Sequence, residues 1–388
     1  MSPYWRFNFG DFAACIYKSI RTICLIAICG FLLNPAELAQ ARNKGKRHLI
    51  EFGWDIPDSA FMREHIRTME KTPFEGCVFQ LRYRAEKGST GDFSWEVWGR
   101  HSFTEEELRQ SVDDLKAIRF HRFHHNFLRF NVTPGDVDWF DDFSAVVSNA
   151  KMAARIARIG KAKGILLDVE QYKLPIFSYQ KQKYATSKGW TAYAAQVRLR
   201  GRQIMSAFQE RFPGITVFLT YGYTLPWEQS HRGLRPLSDT DYGLLAPFLD
   251  GMLDAAAGRS RIIDGYEFAY SFKDSSRFSA AYRDMTVNVL GLVANPSRYR
   301  KFFSFSFGIW LDLNWRELGW DPNEVMKNPH SPRQFEGIVE AAVRSSDEYV
   351  WIYSETPKWW SAPDGASQLL PEAYQAALIN ASRVQGNH

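Results

Sequence analysis

The sequence is poor in cysteine and lacks the spacings that cysteine chemistry requires. Of its 4 Cys, three (Cys15, Cys24 and Cys29) lie in or before one apolar run near the N-terminus, and Cys77 stands alone beyond it. A single thiol cannot close an internal disulfide, so the fold beyond that run has to be held by its core. Cys77 lies in the apolar stretch Gly76-Cys77-Val78-Phe79-Gln80-Leu81 and reads as a buried small hydrophobe rather than a nucleophile. No Cys directly follows a small-residue box near this run, which argues against a lipid-anchored reading. No His-Glu-x-x-His run, paired Cys ligands or Gly-x-Ser-x-Gly elbow occurs, so zinc-protease and serine-esterase chemistry have no motif to rest on. The stretch Gly53-Trp54-Asp55-Ile56-Pro57 lacks a glycine-rich phosphate fingerprint, which argues against a dinucleotide fold. Basic residues are scattered among acids rather than clustered, so the +5 charge marks no nucleic-acid surface. No linker rich in Pro, Gly or Ser and no internal repeat divides the chain, which points to one domain.

One long apolar run is present. Residues 22–33 (TICLIAICGFLL) follow Lys18 and Arg21 and precede Ala39-Gln40-Ala41. The run matches a signal-peptide core and is short for a bilayer span. It predicts a signal peptide over residues 1–41 and a secreted or periplasmic protein over 42–388, without stable membrane insertion after cleavage. An uncleaved anchor is the alternative, and either reading implies export. Three basic and two acidic residues lie in 1–41, so the remainder carries +4. Aromatic residues make up 15% of the chain, with 13 Trp. Many stand beside Gly, Pro and charged residues rather than inside apolar runs, so they predict a ligand surface as well as a core.

Short apolar segments alternate with longer amphipathic ones. The expected strands are 48–54, 76–83, 125–132, 164–170, 215–221, 249–255, 302–311 and 347–354. Several are nearly continuous apolar runs, as parallel strands covered on both faces require. Helical patterns lie at 60–70, 143–159, 193–212 and 335–345, and a capping box at Thr104 and Glu107 leads into another. The expected fold is α/β, a single-domain (β/α)8 TIM-type barrel with elaborated βα loops. An open doubly wound sheet is the competing topology.

In such a barrel the chemistry sits where strands finish. Asp168 and Glu170, two residues apart on the fourth strand, should point to the same side. Two adjacent carboxylates repel when both ionise, which raises one pKa and keeps an acid protonated near neutral pH. Glycoside cleavage needs one carboxylic acid to protonate the leaving oxygen and a second carboxylate to attack or to activate water. The run Leu166-Leu167-Asp168-Val169-Glu170 resembles the strand-four Asp-x-Glu of chitinase-type glycosidases. That resemblance implies that Glu170 is the proton donor and that Asp168 orients it. Upstream of the strand stand Lys163, Gly164 and Ile165, where that motif has a further Asp. From the residues alone, the pair could instead form an ion pair with Arg129 or Arg82, or a metal site.

Candidates for the second carboxylate are Glu355, Glu267 and Asp312, each at or just past an expected strand end. Each could alternatively cap a helix or pair with Lys358 or Arg316. Sugar rings stack on indole faces, and their hydroxyls bond to planar polar groups. The expected substrate contacts are Trp54, Asp55, Arg82, Arg129, Tyr172, Tyr223, Trp227, Asp254, Trp310, Trp359 and Trp360, with Trp95 and Trp98 as possible walls. His121, His124 and His125 enter the third strand at its other end and read as structural. The expected function is hydrolysis of a glycosidic bond in a poly- or oligosaccharide, with no cofactor and no metal in the site. The alternatives are a non-catalytic carbohydrate-binding barrel and a metal-dependent hydrolase using Asp55, Asp168 and Asp254.

Overall fold

The computed structural model describes residues 45–384 apart from 55, 86–87 and 361–367. The expected signal peptide lies outside the described residues. Among these, no helix is long and apolar enough to cross a membrane.

Eight short parallel strands carry the architecture. They are β1 (His48–Glu51), β2 (Gly76–Phe79), β3 (Phe127–Asn131), β4 (Gly164–Asp168), β5 (Thr216–Leu219) and β6 (Arg261–Asp264), then β7 in two segments (Phe303–Phe305 and Phe307–Trp310), and β8 (Tyr349–Tyr353). Each of β1 to β6 pairs with the next in parallel register, for example Asn131 opposite Asp168 and Leu219 opposite Asp264. The first segment of β7 pairs with β6, the second pairs with β8, and β8 pairs with β1. Only Ser306 separates the two β7 segments, so the nine-segment sheet returns on itself as a barrel. Helices between the strands complete a single-domain (β/α)8 fold, as expected.

Period-2 alternation sorts the strand residues onto two faces. Ile50, Val78, Phe127, Leu166, Phe218, Ile263, Tyr349 and Trp351 pack together inside the barrel. Their neighbours Leu49, Cys77, Leu128, Ile165, Leu167, Val217 and Ile262 belong to the larger core between sheet and helices. Cys77 is thus the buried small hydrophobe that its sequence context predicts.

One expected strand is a helix. Residues 249–255 fall in Leu245–Ala255, and the sixth strand is Arg261–Asp264. The residues from Leu245 to Leu253 are all buried, so this helix is apolar on every side, and hydrophobicity alone cannot tell it from a covered strand. It packs tightly on the helix Trp190–Arg211. A Cβ on Gly201 would lie 2.1 Å from the Phe248 carbonyl oxygen, and one on Gly251 would lie 1.9 Å from that of Arg198. The capping-box bonds of Thr104 and Glu107 do form, but within a turn, and the helix itself is Arg109–Ala117.

Candidate active site at the barrel mouth

A cavity of about 820 Å³ opens at the C-terminal ends of the strands. Five Trp line it (Trp54, Trp95, Trp310, Trp359 and Trp360), with Tyr172, Tyr221, Tyr270 and Tyr353. Glu51, Asp92, Glu170, Glu267 and Glu355 bring carboxylates to the wall, against the cations Arg82, Arg129 and Lys358.

The fourth strand behaves as its spacing predicts. Asp168 ends β4, fully buried, and the half-buried Glu170 follows two residues later. Arg129, from the adjacent β3, donates from Nη2 to Asp168 Oδ2 at 2.8 Å. Its guanidinium also lies 4.5 Å from the ring centre of Trp95 and 5.7 Å from that of Phe52. The alternatives raised for the Asp-x-Glu pair therefore divide between its members. Asp168 takes the ion pair with Arg129, and Glu170 is left facing the cavity. The Tyr172 hydroxyl donates to Glu170 Oε2 and, at 3.3 Å, to Asp168 Oδ2. Burial first, and then the Asp168 charge, push the Glu170 carboxyl up to about 7, against the opposing pull of Tyr172 and Arg129.

Glu267 follows β6, at the start of a short 3-10 turn, Glu267–Ser271. Tyr266, just before it, adopts φ 43° and turns the chain sharply out of the strand. The buried Asp264 carboxylate holds this corner by accepting from the backbone N–H groups of Tyr266 and Gly222, both at 3.0 Å. Burial raises the Glu267 carboxyl well above the usual range, and the charges of Glu170 and Asp168 raise it further. A hydrogen bond with Tyr221 acts in the opposite sense. Glu170 and Glu267 thus line the same cavity, where the Glu170 charge adds to the burial that raises Glu267.

Glu355 also reaches the wall but is fully engaged. Arg316, the Trp315 indole N–H (2.7 Å) and the Tyr353 hydroxyl (3.2 Å) all donate to its carboxylate, with Arg316 Nη2 at 2.6 Å. Asp312 is buried and does not line the cavity. It accepts from the Trp310 indole at 2.9 Å and from the backbone N–H groups of Glu355 and Thr356, so it shapes the segment after β8.

Of the expected substrate contacts, Trp54, Arg82, Arg129, Tyr172, Trp310, Trp359 and Trp360 line the cavity. Arg82 lies at the rim within 3.7 Å of Asp58 and 3.5 Å of Asp92. Trp95 lines the cavity too, held by the turn of helix Phe93–Glu96, where Asp92 accepts from its backbone N–H at 3.2 Å. Asp55 lies outside the described residues.

Four expectations need correcting. Asp254 sits on the outer helix Leu245–Ala255 and is held by Arg198 (2.7 Å) and Arg202 (3.0 Å), away from the mouth. That placement also breaks up the Asp55, Asp168, Asp254 constellation. Tyr223 is fully buried, donates to Asp250 at 2.8 Å and packs on Tyr299. Trp227 lies on helix Thr224–Gln229, nearly buried beneath the Arg232 guanidinium. Trp98 is a core residue packed edge-on against Trp139, Phe143 and Phe248.

Glu51, Asp92, Tyr221, Tyr270 and Tyr353 line the cavity without being among the expected contacts. Strand parity was the available signal for Tyr353, which continues the inward series Tyr349, Trp351 of β8.

No protein-family model matches the chain, and no curated protein matches it. Among solved structures it is similar to a GH5-4 broad specificity endoglucanase from an uncultured bacterium, at 11% identity and TM-score 0.42, covering 89% of this chain and 95% of that one. It is similar to a GH113 beta-1,4-mannanase at 11% identity and TM-score 0.42, covering 88% of this chain and 99% of the other. It is also similar to a 7,8-dihydropteroate synthase from Vibrio fischeri ES114, at 9% identity and TM-score 0.37, over 88% of this chain and 93% of that one. The assignment of the barrel rests on the strand pairing of the chain itself.

Proposed function

We propose that this chain is a glycoside hydrolase that cleaves poly- or oligosaccharide with Glu170 and Glu267 as its acid and carboxylate. The observation that carries the reading is that these two carboxyls line one cavity walled by five Trp. Burial and the neighbouring carboxylate charges favour a retained proton near neutral pH, which supplies an acid for the leaving oxygen. Glu170 is the better acid/base, because a pKa of about 7 lets it give up and recover a proton at the working pH. Of the charges that hinder ionisation of Glu267, that of Glu170 is the largest. Protonation of Glu170 removes one of the charges that oppose ionisation of Glu267, whose carboxylate would attack the anomeric carbon or activate water. Asp168 and Arg129 act through Glu170: the ion pair fixes the Asp168 charge that raises its neighbour. The indole faces supply apolar stacking for sugar C–H groups, and Arg82, Glu51 and Asp92 supply polar partners for hydroxyls. Export through residues 1–41 is part of the same reading and rests on the sequence of that segment.

The test is release of reducing sugar from a panel of polysaccharides and aryl glycosides, with Glu170→Gln and Glu267→Gln alongside. Release by the wild type and loss in both variants supports the assignment. Glycan binding without release from any substrate overturns it in favour of a non-catalytic carbohydrate-binding barrel.

A further inference from the structure

We propose that His48, Glu75 and His125 form a binding site for a zinc-class divalent cation on the barrel floor, at the end opposite the mouth. His48 opens β1, Glu75 immediately precedes β2, and His125 lies two residues before β3. Because β1 pairs with β2 and β2 with β3, the three strand entries lie side by side. One ligand atom from each residue lies within 4.8 Å of those of the other two.

Two imidazoles and a carboxylate form a donor set suited to zinc, and water completes a tetrahedron. Zinc bonds of about 2.0–2.2 Å place tetrahedral ligands about 3.3–3.6 Å apart, so the set closes by side-chain rotation with the strands in place. His48 Nδ1 is already 2.9 Å from Glu75 Oε2. The other histidine is oriented from behind: its Nδ1 lies 2.9 Å from the Tyr349 hydroxyl on β8, which leaves Nε2 as the ligand atom. A hydrogen bond to the second ring nitrogen is the usual support of a metal-bound imidazole. The two rings stack with centroids 3.5 Å apart and 21° between planes, and binding would splay them. Lys46 also reaches Glu75, at 2.8 Å, but its side chain is 65% exposed and can swing into water when a cation takes its place. All three donors are half-buried, so water can reach the fourth position at modest desolvation cost. Such a cation would clamp the entries of three consecutive strands beneath the inner core of Phe127, Phe218 and Tyr349.

The experiment uses the full chain, stripped with a chelator and titrated with Zn²⁺ by calorimetry. The proposal expects one equivalent bound at this site and a thermal midpoint raised by about 4 °C at hundredfold saturation. His48→Gln and Glu75→Gln should each weaken that equivalent at least tenfold. If one variant fails to fold, the other still decides, together with the visible bands of tetrahedral, nitrogen-ligated Co²⁺ in the wild type. Absence of zinc binding and of any midpoint shift overturns the proposal. Undiminished binding in the variants also overturns it, since the ion would then sit on other donors such as the N-terminal cysteines.

Discussion

Arg129 Nη2 sits 2.8 Å from Asp168 Oδ2, with both side chains buried and Arg129 at the cavity wall. The pair comes from adjacent strands, with Arg129 on β3 and Asp168 ending β4. Asp168 is held by a fixed partner, while Glu170, two residues on, faces the cavity. The same pair holds Trp95 against the guanidinium and thereby shapes the wall.

Asp168→Asn leaves the Arg129 charge buried without its anion, which should cost about 3–5 kcal/mol of stability. It also removes the like charge that raises Glu170, so any alkaline limb of the activity profile should move to lower pH. Chemical denaturation and a pH–rate profile check the two effects separately. A variant as stable as the wild type, with an unmoved limb, contradicts the role given to the ion pair.

Trp54 is 64% exposed at the rim, so Trp54→Ala should leave the fold intact. Its expected effect is a rise in KM of roughly 3- to 10-fold with kcat nearly constant, the loss of one stacking contact. Steady-state kinetics on a soluble oligosaccharide measure it. A large fall in kcat with KM unchanged would place Trp54 nearer the reacting atoms than the geometry does.

Asp254→Asn should lower stability by about 1 kcal/mol, since its arginine partners lie on a partly exposed helix face. Hydrolysis should stay within twofold of the wild type. A severe activity loss at unchanged stability would return Asp254 to the site.

Stability should depend on pH through Glu170. Its folded pKa of about 7 lies above the ordinary value of about 4.3, so the folded state binds the extra proton between these limits. Stability therefore falls as pH rises through that window. Glu170→Gln, which carries no such charge, should gain on the wild type from pH 5 to pH 8 in thermal melts. A constant difference across this range would show that the carboxyl is not raised.

Much of this arrangement was legible in the residues. Parallel strands covered on both faces read as short apolar runs, which placed seven of the eight strands. Alternation put Asp168 and Glu170 on the same side of the fourth. The sixth strand was hidden because the helix Leu245–Ala255 is apolar on all sides and imitates a strand, drawing Asp254 into a rim it does not reach. Tyr223 and Trp227 misled for a related reason: residues just past a strand end fold inward when a helix starts there, as Thr224–Gln229 does. Glu355 and Arg316 could be read as a pair from sequence, but the added holds of Trp315 and Tyr353 come from three-dimensional packing. The placing of Glu267 in the same cavity as Glu170 follows a corner set by Asp264 and Tyr266, which no local pattern announces.

The central claim is that Glu170 works as an acid with a pKa of about 7 in partnership with Glu267. The direct measurement is the pH dependence of kcat/KM for glycoside hydrolysis by the wild type, beside Glu170→Gln at the optimum. The account predicts activity that is lost as pH rises through about 7, and a fall of roughly 10²- to 10⁴-fold in a variant that remains folded. Full turnover by Glu170→Gln, or an activity profile flat across neutral pH, would contradict it.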